Sequence, residues 1–261
     1  MALLFSIKSY CRFLWKSKNE HGVHSPFVFD LVTKCFYDRD AKPEYEILRN
    51  YRLELLQNKN SIDITDFGTG SKVFKSNSRP ISKIAQTAGI SEFRAELLFR
   101  ITRYFQPNSV LEIGTSLGLA TAALSLGNPK AKITTLEGCP ETARIAKHQF
   151  HKFQLHNIQS EVAEFNTFLQ NDQLSITNYQ LIYFDGNHAK EATLRYFELL
   201  LPSVANESVW IFDDIYWSPH MNEAWELIKA HPKVKVTIDT FQWGMVFFRN
   251  EQEKEHFTIR I

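Results

Sequence analysis

The stretch Val110-Leu-Glu-Ile-Gly-Thr-Ser-Leu-Gly-Leu-Ala-Thr121 constrains this chain more than any other. Residues Val110 to Ile113 read as a short buried strand. The turn that follows holds Gly114 and Gly118, with Thr115 and Ser116 between them, and an apolar helix starts beyond it. A strand that passes through a glycine turn into a helix suits the binding of an anionic or polar cofactor end. Glycine lets the backbone approach a ligand, and the free N–H groups of the first helical turn point at it. The pattern is E-x-G-x-x-x-G, with Glu112 two residues ahead of the first glycine. It is not the G-x-G-x-x-G of dinucleotide folds.

A second β-rich run, Lys132-Ile-Thr-Thr-Leu-Glu137, ends in an acid twenty-five residues after Glu112. An acid at the tip of the second strand of a βαβ unit lies beside the first turn, where it can accept both hydroxyls of a ribose. On these residues the chain resembles the class I S-adenosylmethionine-dependent methyltransferases. It is most similar to the small-molecule O-methyltransferases related to catechol and caffeoyl-CoA O-methyltransferase, and to the macrolide-sugar O-methyltransferases. The resemblance runs from about Ser91 to Phe248 and leaves out the first eighty or so residues. It implies an α/β, Rossmann-like fold: a seven-stranded, mostly parallel sheet of order 3-2-1-4-5-7-6 with an antiparallel last hairpin. It also implies S-adenosylmethionine as cofactor, held by Glu112, Gly114, Thr115, Ser116, Gly118, Glu137 and Asp185.

Taken in order, the chain divides into an N-terminal helical extension and lid, 1–90, and a cofactor-binding domain, 91–261. Leu3, Leu4, Ile7, Tyr10 (or Cys11) and Leu14 recur at helical spacing, with Lys8, Arg12 and Lys16 elsewhere. A basic amphipathic helix either docks on its own protein or lies on a membrane surface; docking is the expectation here. His21 and His24 have no acid or cysteine at helical spacing, so a packing or lid role is expected rather than a metal. A helix over Glu44 to Gln57 is expected to bury Ile47, Tyr51 and Leu55. Asp66-Phe-Gly-Thr-Gly-Ser71 looks like a phosphate loop but lacks a strand before it and a helix after it. With the basic stretch to Arg79 it reads as a flexible lid. Ser91 is the expected N-cap of a helix that turns Leu97, Leu98 and Ile101 inward and ends before Pro107. From there strands near 109–113, 132–136, 158–162, 180–184 and 208–212 alternate with helices, which argues for a covered parallel sheet. Val234 to Asp239 and Gln242 to Arg249 close the chain as an antiparallel pair.

Ligands of open α/β sheets bind outside the carboxyl ends of the strands. Asp185 stands there after the fourth strand, and Asp213 and Asp214 after the fifth. Three converging carboxylates repel unless a cation or protons share the site; hard oxygen ligands suit Mg²⁺. In the metal-dependent enzymes that the chain resembles, acids at these positions hold that ion. The resemblance therefore implies Asp185, Asp213 and Asp214 as metal ligands. The same enzymes carry a lysine base three residues after the first metal acid. Here that position is His188, whose residue type takes up a proton near neutral pH. His188 and Asp185 are thus the candidate catalytic pair. Tyr216 and Trp217 either wall an acceptor pocket or belong to core and surface.

The rivals are a nicotinamide oxidoreductase, a cofactor-binding protein without catalysis and a protein-directed methyltransferase. The lack of a third glycine argues against the first. Asp185-Gly-Asn-His188 stands where a nucleobase methyltransferase would carry an Asn-Pro-Pro-Tyr-like run. A net charge of +1 gives no excess of positive charge for nucleic acid. A small-molecule acceptor is the expected partner, and a homodimer is left open. Cys11, Cys35 and Cys139 show neither zinc spacing nor a disulfide framework, which points to a reducing cytoplasm. No apolar run reaches the length of a membrane span, and the N-terminus lacks the apolar core of a secretory signal.

Overall fold

The computed structural model describes residues 2–65, 76–170 and 178–261. The glycine-rich loop 66–71 and most of the expected lid lie outside the described residues; of that lid only 76–79 fall within them. The chain forms two compact units, Met1–Tyr37 with Leu169–Ile261, and Asp38–Phe168. Among the described residues no helix is long and apolar enough to cross a membrane.

In the unit Asp38–Phe168, strands β1 (Ser61–Asp63) and β2 (Ser78–Pro80) pair antiparallel. Three-residue strands leave no periodicity to read, and a mostly helical extension was the expectation. The remaining strands are β3 (Ser109–Ile113), β4 (Lys132–Glu137) and β5 (Ile158–Val162), parallel throughout. Helix Glu92–Phe105 precedes β3 and is capped as expected: the Ser91 side chain accepts from the Arg94 N–H. Leu97, Leu98 and Ile101 are buried. Gln106 ends the helix at φ 48°, and Pro107 prevents its resumption. Helix Pro43–Gln57 buries Tyr45, Leu48, Tyr51 and Leu55, while Ile47 is exposed. The inward stripe is therefore rotated by one residue from the expected one, because Tyr45 and Leu48 carry the packing that Ile47 was expected to supply.

In the other unit the strands are β6 (Leu181–Phe184), β7 (Val209–Asp213), β8 (Val236–Asp239), β9 (Trp243–Phe247) and β10 (Glu255–Thr258). Their order is β6-β7-β9-β8-β10, with β9 antiparallel to both neighbours and β10 parallel to β8. The order β5-β4-β3 in the first unit and β6-β7-β9-β8 here are the expected 3-2-1 and 4-5-7-6. This unit has five strands where four were expected, β10 being the addition. Lys18 bridges Ile259, and Lys18 N–H donates to Thr258 O at 2.9 Å. This contact covers the backbone groups that an outer strand would leave unpaired. Gly244 in β9 is required by a close approach: a Cβ there would sit 2.7 Å from the ring of Trp225, which helix Pro219–Ala230 buries against it.

Candidate active site

In the unit Asp38–Phe168 the candidate residues gather at the turn after β3. Gly114 and Gly118 take φ 104° and 82°, and Ser116 takes φ 49°. Gly114 N–H and Thr115 N–H both donate to Leu136 O at 3.0 Å, which ties the turn to the end of β4. A side chain at Gly118 would run into the Phe150 ring and the Tyr51 hydroxyl. Both backbone conformation and packing thus demand glycine there. Helix Leu119–Gly127 starts from this residue.

Glu137, the last residue of β4, spans the turn. Its Oε2 accepts the Ser116 N–H at 2.8 Å and its Oε1 accepts the Cys139 N–H at 2.9 Å. The carboxylate thus joins the glycine turn to the loop that follows β4. Glu112 is placed differently. It is fully buried, and its Oε2 accepts from the hydroxyls of Thr121 and Thr135, both at 2.5 Å. Thr115 joins the same cluster through its hydroxyl, 2.5 Å from that of Thr135. The side chains of Glu112 and Thr115 therefore tie β3, β4 and the following helix together behind the turn.

Burial pushes the Glu112 carboxyl up to about 8, with the Glu137 charge adding to the rise and the threonine hydroxyls opposing it. A carboxyl raised in the folded state stabilises fully below its unfolded value. That contribution is lost as pH rises toward the folded value. Stability is expected to fall by about 1.4 kcal/mol per pH unit across that window from this group alone. Glu112→Gln, a neutral group of the same shape, should flatten the slope in urea unfolding measured as a function of pH. An equal slope in the variant would place the proton elsewhere.

Two contacts here carry no sequence signal. The Tyr51 hydroxyl donates to Leu117 O at 2.8 Å, and burial raises its pKa well above the ordinary value. It braces the glycine turn from sixty-six residues upstream, where the sequence showed only an apolar stripe. Cys139 Sγ accepts the Thr65 N–H at 3.4 Å and donates to Asp63 O at 3.7 Å, which seats the end of β1 beside the Glu137 loop.

In the other unit the candidate residues lie after β6 and β7. Asp185 follows β6, and Asn187 at φ 51° turns the chain so that His188 comes back toward it. His188 Nε2 lies 3.7 Å from Asp185 Oδ1, and its ring lies 5.9 Å from that of Trp217. His188 and Asp213 line a small pocket with Phe184, Thr193, Tyr196 and Met221, about 230 Å³ including its open mouth. Asp213 is buried. Its Oδ2 accepts the Tyr183 hydroxyl at 2.9 Å and its Oδ1 accepts the Asp214 N–H at 2.8 Å. Asp214 itself sits at φ 53° in the turn that follows β7.

Asp185 and His188 are brought together as the sequence suggested. The three acids are not assembled as a metal-holding group: among the described residues no cluster of three or more His, Cys, Asp or Glu could hold an ion. Asp213 is instead engaged by the Tyr183 hydroxyl of β6 and by the N–H of Asp214. Tyr216 is a structural residue. Its hydroxyl donates to Asp239 Oδ2 at 2.7 Å and its ring stacks on Phe241 at 5.1 Å. Burial and then the Asp239 charge raise the pKa of Tyr216.

Residues 111–215 match the family model described as a methyltransferase domain. Solved structures share the fold at low identity. One is an SAH-bound methyltransferase of Podospora anserina, PaMTH1: 15% identical, TM-score 0.62, covering 87% of this chain and 97% of that one. Another is an O-methyltransferase of Bacillus cereus in complex with SAH, 16% identical, TM-score 0.56, covering 81% and 94%. A third is the O-methyltransferase TomG of Streptomyces achromogenes, 15% identical, TM-score 0.58, covering 84% and 95%. The match over residues 111–215 to a methyltransferase domain agrees with the resemblance to the class I S-adenosylmethionine-dependent enzymes.

Proposed function

We propose that this methyltransferase transfers a methyl group from S-adenosylmethionine to a hydroxyl of a small molecule. The observation that carries the reading is the Glu137 carboxylate at the end of β4, set across the glycine turn by the Ser116 and Cys139 N–H groups, where a ribose would lie. The turn Gly114 to Gly118 would take the amino-acid end of the cofactor. Glu112 and Thr115 serve it from behind, by holding β3, β4 and the first helical turn together. Solved O-methyltransferases of the same fold, one in complex with SAH and one with SAM, support this choice of cofactor and acceptor atom. In function we keep the division into an N-terminal extension with lid, 1–90, and the cofactor-binding domain, 91–261.

The methyl on a sulfonium is already a good electrophile, so the protein must align an acceptor oxygen and remove its proton. His188 takes that proton. Asp185, 3.7 Å from the imidazole Nε2, offsets the positive charge that forms. Asp213, held by Tyr183, lines the pocket beside His188. No step runs through Mg²⁺, because the donor set that the resemblance implied does not come together.

Calorimetry against S-adenosylhomocysteine and NAD, with methyl transfer to catechol and sugar acceptors in the presence and absence of EDTA, tests the reading. Binding of S-adenosylhomocysteine and activity unchanged by EDTA are expected. Preference for NAD would overturn the cofactor; activity lost in EDTA and restored by Mg²⁺ would overturn the metal-free mechanism.

A further inference from the structure

Helix Ala2–Lys16 was expected to dock through a stripe of Leu3, Leu4, Ile7, Tyr10 (or Cys11) and Leu14, and it docks instead through Phe13 with Tyr10 at the edge. Phe13 is the buried residue, its ring 5.5 Å from Phe241, and Tyr10 meets the same ring edge-on at 4.9 Å. Arg260 holds the C-terminal end, donating to Leu14 O at 3.0 Å and to Ser17 Oγ at 3.1 Å. Leu4 and Ile7 of the expected stripe therefore face out. Leu4 is 77% exposed, Ile7 54% and Trp15 84%. With exposed Cys11 they stand at i, i+3, i+7 and i+11, a single face. Lys8, Arg12 and Lys16 flank it, all exposed, and the helix contains no acid.

We propose that this face is a docking surface for an anionic lipid bilayer, on which the helix lies flat with Leu4, Ile7 and Trp15 at the headgroup–acyl boundary. Charge complementarity selects this occupant. An apolar stripe edged by cations gains from acyl burial and from negative headgroups together. A tryptophan is suited to that interface. A second copy of this chain meeting the same face would set its own three cations against these, with no acid on the helix to answer them. The chain's net charge is only +1, so the attraction is local to this helix and not a property of the whole surface. The proposal does not depend on the methyl acceptor or on the cofactor.

The test uses the full chain, sedimented with vesicles of phosphatidylcholine alone and of equimolar phosphatidylcholine and phosphatidylserine. Binding to the anionic vesicles is expected, with a blue shift of Trp15 emission. Of the other four tryptophans, Trp210, Trp225 and Trp243 are buried, and Trp15→Phe controls for Trp217. Each basic residue near such a surface contributes about fivefold, so the triple variant Lys8→Gln, Arg12→Gln, Lys16→Gln should bind about a hundredfold more weakly. Leu4→Ser with Trp15→Ser should lose about tenfold or more. Thermal melting should be unchanged in both variants, since every substituted side chain is exposed. Equal affinity for neutral and anionic vesicles, or no binding to either, would overturn the proposal. So would a dimer in sedimentation velocity that dissociates in the Leu4→Ser, Trp15→Ser variant, which would assign the face to a second copy.

Discussion

Replacement of His188 by alanine is expected to lower turnover of methyl transfer by about 10²–10⁴-fold, the range typical of a lost general base. The effect should fall on kcat, because the proton is removed as the methyl moves and not when the acceptor binds. Cofactor affinity should be unchanged, since the turn proposed to hold the cofactor is set by Glu137 and Leu136. Asp185→Asn is the companion variant. It leaves the ring in place and removes the charge 3.7 Å from Nε2, so its loss should be smaller than that of the alanine variant. Single-turnover kinetics separate chemistry from release. His188→Ala with wild-type single-turnover rates would return this residue to an ordinary helix-start role.

Glu137→Ala is expected to weaken S-adenosylhomocysteine binding by about tenfold to a few hundredfold. Hydrogen bonds to a charged group contribute about 1.5–3 kcal/mol each. Part of the loss comes from the protein itself. The Ser116 and Cys139 N–H groups both point at this carboxylate, and alanine leaves them to water. Glu137→Gln keeps one acceptor oxygen and should fall between the two. Calorimetry reads the series directly, and an unchanged dissociation constant in the alanine variant would put the ribose somewhere other than the end of β4.

Much of the fold was legible because it is written in short-range pattern. Ser91 ahead of an apolar periodicity, Pro107 after it and the apolar runs of β3, β4, β6 and β7 all stand where they were expected. The paired strands β8 and β9 were legible for the same reason. Strand β10 was not, because Glu255-His-Phe-Thr258 becomes a strand by pairing with β8 and has little strand character of its own.

The candidate site divides along the same line. That a glycine turn follows β3, that an acid ends β4 and that Asp185 and His188 share one loop follow from residue type and spacing, which local geometry obeys. Which way a side chain faces is another matter. Glu112 was expected at the cofactor and lies fully buried under two threonine hydroxyls, since its place is set by Thr135 on the neighbouring strand. Asp213 was expected at an ion and is taken up by Tyr183 on β6. In helix Ala2–Lys16 both faces are apolar enough to dock, and Phe241, far along the chain, selects Phe13 over Leu4 and Ile7. The sequence by itself determined the elements, their order and the turn that makes a ligand site. Only the tertiary structure decided which polar groups satisfy one another inside and which face of the first helix is left to the solvent. Periodicity acts over a few residues, whereas hydrogen-bond satisfaction and burial are settled between strands and helices distant in the chain.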